Sequence, residues 1–81
     1  MNKNEKLQKL LKRRYLIELV PISKKDGGGV YACIPELGKD AYIGDGETII
    51  EALINLEKTK IELFSDAIDK GLEIPKPKNY N

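Results

Sequence analysis

The sequence predicts an α+β fold, in which one long helix packs a three-stranded antiparallel sheet (βββα) and a short helix precedes the sheet. Three observations carry the prediction. Two apolar-alternating segments flank the run Lys24-Lys25-Asp26-Gly27-Gly28-Gly29, where Asp-Gly accepts the positive φ angles of a tight reversal. A third such segment follows a short polar loop. From Ile49 onward, apolar residues recur with a helical period until Gly71. With 81 residues the chain makes a single small domain with one core.

The elements follow in order. Leu7, Leu10 and Leu11 fall at i, i+3 and i+4, so residues 4–13 read as a short amphipathic helix capped by Asn4. So short a helix is marginal alone and must dock on the rest of the fold. Residues 14–46 form the meander. Its first strand is Tyr15–Val20, ended by Pro21, and the returning strand is Val30–Ile34, with Val30, Ala32 and Ile34 facing one way and Tyr31 and Cys33 the other. The third strand is Ala41–Gly44, paired with its sequence neighbour.

The stretch Gly44-Asp45-Gly46-Glu47-Thr48 admits two readings, a phosphate-cradling loop or the approach to a helix. No lysine and hydroxyl follow the glycines at phosphate-loop spacing, and Asp45 and Glu47 would repel an anion. Thr48 with Glu51 is a capping box, which starts the long helix of residues 48–70. Gly71 supplies the left-handed C′ position, and Pro75 and Pro77 prevent resumption. Residues 72–81 are an extended tail with room for a short fourth strand. At about 100° per residue the apolar positions of the long helix span an arc of about 200°, about twice what one sheet face needs, so its flank requires a second contact. Glu57 and Lys60 lie within that arc at i, i+3 and can pair with each other or with a partner.

Composition excludes several function classes. The chain is 41% hydrophobic and 33% charged, as soluble globular domains are. No segment is apolar and long enough for a membrane span, and the N-terminus lacks the apolar core of a secretory signal, so a cytoplasmic location is expected. A single cysteine forms no internal disulfide, and the absence of histidine removes the usual zinc and acid–base constellations. Cys33, mid-strand and without a histidine to activate it, reads as a small packed residue. The net charge of +1 conceals an asymmetry: eight lysines and arginines face three acids up to Pro35, a net of +5, whereas ten acids face four lysines from Glu36 to Glu73, a net of −6. Single-sign surfaces of this kind steer association with oppositely charged partners.

The order of these pieces resembles one family along nearly the whole chain from Tyr15 to Pro77. Asp26-Gly27-Gly28, Ile34-Pro35-Glu36-Leu37, Gly44-Asp45, Thr48 with Glu51-Ala52-Leu53, and Ile74-Pro75-Lys76-Pro77 match, in order, the HicB antitoxins. The resemblance implies a partial RNase H-like βββα fold and a role as antitoxin, binding and blocking a HicA-like toxin, a small basic ribonuclease that cleaves mRNA. Many members continue past the Ile-Pro-x-Pro segment into a DNA-binding domain. This sequence ends at Asn81, and direct DNA binding is not expected of it. The run that follows Pro-Glu-Leu in the family is also replaced here by Gly38-Lys39-Asp40.

With that role, the acids Asp45, Glu47, Glu51, Glu57, Glu62, Asp66 and Asp69 are the candidate toxin-binding residues, and Thr48 and Glu51 are structural cap residues. Tyr15, Tyr31 and Tyr42 fall on three successive strands. They are expected to share one sheet face, through which the protein self-associates as a homodimer or higher homo-oligomer. An alternative reading is a nucleic-acid-binding regulatory module using the basic N-terminus and the tyrosine face as a stacking platform. A metal-dependent RNase H-like nuclease would need Glu18, Asp26, Glu36, Asp45 and Glu51 to converge on two ions, yet most of these have a turn or cap role that explains them. No catalytic residue, metal or cofactor is expected, and the protein is not expected to be an enzyme.

Overall fold

In a computed structural model of the chain, which describes residues 1–78, a three-stranded antiparallel sheet is packed on one face by a long helix, and a short helix precedes it. The order is α1 (Lys3–Leu11), β1 (Glu18–Pro21), β2 (Val30–Cys33), β3 (Ile43–Gly46) and α2 (Ile49–Lys70), with single 3-10 turns at Lys24–Asp26 and Pro35–Leu37. The sheet order is β1-β2-β3. The predicted α+β, βββα-like arrangement is therefore the one formed.

Element boundaries differ from expectation where long-range contacts decide them. Helix α1 starts earlier than predicted, because Asn2 rather than Asn4 is the N-cap, its side chain accepting from the Glu5 N–H at 2.9 Å. Strand β1 begins at Glu18, not Tyr15. The register Glu18↔Cys33 exhausts β2, and the chain then turns away at Pro35–Leu37, leaving residues 15–17 without a ladder partner. Pro21 lies inside β1, opposite Val30. The Ile22 N–H donates to the Gly29 carbonyl at 2.9 Å, so even-numbered residues of β1 bond to β2 and the missing N–H of Pro21 points to the open edge, where it costs no bond. Strand β3 starts two residues later than predicted, at Ile43, because Ala41 and Tyr42 are held in a turn with their N–H groups on the Gly38 carbonyl.

The sequence Gly44-Asp45-Gly46 is thus strand, neither loop nor helix approach. Gly44 and Gly46 face α2, and a Cβ built on Gly44 would sit 2.1 Å from the Leu56 nitrogen and 2.5 Å from the Asn55 carbonyl carbon. On Gly46 it would sit 2.5 Å from the Glu51 Cβ. Strand and helix backbones touch, and the missing side chains make that possible.

The core lies between sheet and α2. Ala32 and Ile34 from the second hairpin arm pack with Ala52, Leu56 and Phe64 of α2 and with Tyr15 and Tyr42. Helix α1 docks Leu7, Leu10 and Leu11 against this cluster, with Lys3 paired to Asp69 at 2.8 Å. Helix α2 begins at the predicted cap, the Thr48 hydroxyl accepting from the Glu51 N–H at 3.1 Å. The Glu51 carboxylate reaches back to accept from the Glu47 N–H, where a capping box would use the N–H of Thr48. At its other end Gly71 is left-handed, and the Leu72 and Gly71 N–H groups close on Ala67 and Ile68 as a Schellman motif.

The short fourth strand for which the tail has room does not form among the described residues, and positions 79–81 of the predicted tail lie outside them. The tail is held by side chains instead: Arg13 Nη1 donates to the Ile74 carbonyl at 3.0 Å, the Tyr15 hydroxyl donates to the Pro75 carbonyl, and the Lys78 N–H donates to Glu36 Oε2 at 3.0 Å. Two prolines in four residues remove the donors that a ladder would need.

Candidate protein-interaction site

The two edges of the sheet are treated differently. In β3, even-numbered residues bond to β2, so the carbonyls of Ile43 and Asp45 point to the outer edge. Helix α2 takes both: Thr59 Oγ1 donates to the Ile43 carbonyl at 2.9 Å, and Asn55 Nδ2 donates to the Asp45 carbonyl at 2.6 Å. That edge is closed by side chains whose polar character reads, in sequence, as ordinary solvent exposure. Among the described residues no side chain is hydrogen-bonded over the β1 edge in this way.

The candidate acids divide into groups. At about 100° per residue, Glu51, Glu62, Asp66 and Asp69 fall within about 60° of one another along α2, on the flank beside Asn55, with Lys58 at its margin. Asp69 is paired with Lys3, and Asp66 with Lys70 at 3.0 Å, but all four side chains are about half exposed, and such pairs are worth at most about 1 kcal/mol. They can exchange for the cations of a partner at little cost. Glu57 lies on the opposite flank, bonded at 2.6 Å to Lys60, whose stem is buried against the core. Asp45 points from the sheet face away from α2, and Glu47 lies in the β3–α2 connection. The seven acids therefore do not form one continuous surface. Four of them form a strip.

The tyrosines do not share a face. Tyr15 and Tyr42 are buried in the core at 8% and 9% exposure, Tyr42 with its ring centroid 5.7 Å from that of Phe64. Tyr31 projects from the opposite side of the sheet beside Asp45. The expected tyrosine self-association face is thereby corrected, and with it the stacking platform of the nucleic-acid reading. The cause is the register: Leu19 and Gly44 both pair with Ala32, so the parity of β1 and β3 carries Tyr15 and Tyr42 to the α2 face, whereas Tyr31 alternates to the other.

The carboxylates considered for metal chemistry are likewise dispersed. Asp26 accepts from the Ser23 hydroxyl within its turn at 2.8 Å, Glu36 holds the tail, and Glu51 caps α2. Glu18 and Asp45 share the outer sheet face but stand on strands separated by β2. Among the described residues no three of them come together to hold an ion. No described helix is long and apolar enough to cross a membrane.

Cys33 is fully buried on that outer face, its sulfur 4.0 Å from Glu18 Oε1. Burial first, and the Glu18 carboxylate second, push its thiol above the ordinary range, with Lys39 opposing. Burial, then Tyr15, also raises Tyr42. A group whose folded pKa is raised contributes stability that is intact below its unfolded pKa, about 8.5 for a thiol, and lost as pH rises through the folded value. The urea midpoint is therefore expected to hold from neutrality to about pH 8.5 and then to fall. The Cys33→Ala variant should lose the first part of that decline, and identical pH profiles for the two proteins would show that the thiol is not linked to folding.

Beyond these groups, a groove of about 660 Å³ opens between α1, the end of α2 and the tail, with Lys6, Lys9 and Arg13 above Leu10, Ile68 and Leu72. Comparison with protein-family models, curated proteins and solved structures finds no match to this chain.

Proposed function

We propose that this protein is an antitoxin-type binding module that occludes a small, basic, HicA-like ribonuclease. The reading draws on the ordered HicB-like motifs of the sequence, and the observation that carries it is the acidic strip Glu51, Glu62, Asp66 and Asp69 on one flank of α2. A strip of one sign steers a basic partner into place and fixes its orientation. Its two intramolecular ion pairs are exposed and yield readily to arginines or lysines of the partner. Blocking such an enzyme requires no chemistry from this chain, only occupation of the surface that would hold RNA.

The test begins with a pull-down of the tagged protein from its native cytoplasm, eluted with rising salt. Recovery of a small basic ribonuclease whose activity this chain suppresses is the expected result. Recovery of nothing but the chain itself overturns the antitoxin reading, and retention of nucleic acid alone would favour a regulatory nucleic-acid module. With the partner in hand, the triple variant Glu62→Lys, Asp66→Lys, Asp69→Lys spares the cap at Glu51. It should weaken binding at least roughly tenfold, mostly through the association rate, with an unchanged circular dichroism spectrum. Unchanged affinity would remove the electrostatic basis of the proposal.

A further inference from the structure

We infer that a second copy of this chain pairs with it along the β1 edge, about a twofold axis at Leu16, and that the outward isoleucines of α2 come together across the same axis. The inference goes beyond the antitoxin reading and does not depend on it.

The first observation is the unequal treatment of the sheet edges. Asn55 and Thr59 close the β3 edge, but the N–H and C=O groups of Leu19 point outward from β1, an end strand of the sheet, and no described strand pairs with them. An open edge is a template for another strand. The second observation is where the exposed apolar residues collect. Leu16, Ile17 and Leu19 are 49%, 40% and 43% exposed, and Ile50, Ile54 and Ile61 of α2 are 71%, 51% and 44% exposed. On α2 these isoleucines lie on the flank opposite Asn55 and Thr59. Since that other flank is bonded to the β3 edge, the isoleucine flank is turned toward the β1 side of the sheet. Helix α2 packs on β2 and β3, so the helix side of β1, with Leu19, is left uncovered. The edge and the stripe form one apolar surface.

The third observation selects the occupant. A twofold interface must be self-complementary, residue i meeting j and j meeting i. Arg14 and Glu18 stand two residues to either side of Leu16, both are exposed, and neither has an ion-pair partner among the described residues. Antiparallel self-pairing centred on Leu16 sets Arg14 of each copy opposite Glu18 of the other, twice. It also pairs Tyr15 with Ile17, which share the parity of Leu19, so that once the dimer extends β1 back through them they take the hydrogen-bonding phase that the β1–β2 ladder leaves free. Centring on Glu18 would use the same phase but place two glutamates face to face, which is unfavourable. Helix α1, with its C-cap at Lys12, bounds the paired segment, since this register sets Leu19 opposite Arg13. The result is a continuous six-stranded sheet with both long helices on one side, burying the isoleucine stripes that a single 81-residue domain cannot cover.

The test is sedimentation equilibrium of the purified full chain, alone, from micromolar to submillimolar concentration. The wild type should approach twice the 9.1 kDa of one chain. Arg14→Glu, which juxtaposes like charges at two places, should raise the dissociation constant by roughly tenfold or more, as should Glu18→Arg. The exchanged double variant Arg14→Glu with Glu18→Arg should restore dimerisation, with unchanged circular dichroism throughout. A wild type that stays monomeric over the whole range overturns the inference. A dimer indifferent to either single reversal, or not rescued by the exchange, overturns the Leu16-centred pairing. Because no toxin is present, none of these outcomes bears on the antitoxin reading.

Discussion

Gly44→Ala should remove a large share of the protein's stability with the addition of one carbon atom. The new Cβ would lie 2.1 Å from the Leu56 nitrogen, 2.5 Å from the Asn55 carbonyl carbon and 2.7 Å from the Ala52 carbonyl oxygen. All three are helix backbone, so no side chain can rotate away, and relief requires α2 as a whole to lift from β3. Lifting it stretches the Thr59 and Asn55 bonds to the β3 edge and opens the packing beneath Leu56. Gly44 does not have the left-handed φ found at Gly27, Gly28, Gly29, Gly38 and Gly71, so alanine meets no backbone penalty and the substitution isolates the clash. A loss of about 3 kcal/mol is expected, at the upper end for overpacking, against a total of about 5–15 kcal/mol for a native domain. For a domain of this size the thermal midpoint should fall by roughly 12–24 °C. A fall of no more than about 4 °C, equivalent to about 1 kcal/mol, would show that strand and helix do not touch as described.

Phe64→Ala should cost about 3–5 kcal/mol by the opposite mechanism, a cavity instead of a clash. Phe64 is wholly inaccessible, the largest of the fully buried side chains, in the cluster that joins sheet, α2 and the turn before β3. Its ring is tilted 44° from that of Tyr42 with centroids 5.7 Å apart, an arrangement worth about 0.5–1.5 kcal/mol beyond burial. Phe64→Leu retains most of the volume and should cost far less, so the difference between the two variants measures the cavity. In a double-mutant cycle with Tyr42→Leu the two sites should couple rather than add. Urea denaturation of the wild type, the three single variants and the double variant supplies the numbers. A Phe64→Ala loss of less than about 1.5 kcal/mol would place the centre of the core elsewhere.

The proposed surfaces are compatible because they occupy opposite flanks of one helix. The flank with Asn55 and Thr59 seals β3 and carries the acidic strip, leaving the isoleucine flank for a second copy. A dimer so built would present two acidic strips outward, one for each partner molecule.

What the sequence determines by itself is local. The Thr48 cap, the helical period of α2, the left-handed Gly71, the reversal around Asp26 to Gly29 and the alternation of Val30, Ala32 and Ile34 each depend on residues a few positions apart, and each appears in the structure where expected. The acids read in sequence as one set of seven; helical spacing separates Glu51, Glu62, Asp66 and Asp69 from Glu57, but the places of Asp45 and Glu47 depend on the fold. Everything that depended on which residues meet across the fold was decided by tertiary structure. Strand β1 is short because its partner turns at Pro35, β3 runs through Gly44 and Gly46 because α2 lies against their backbone, and Tyr15 and Tyr42 are core because the register of β1 and β3 on β2 turns them toward α2. A glycine in a strand is locally unfavourable, and a threonine or asparagine on a helix flank is locally neutral. Only the close approach of helix and strand gives these residues their role, and that contact joins segments about ten to sixteen positions apart in sequence, beyond the reach of any local pattern.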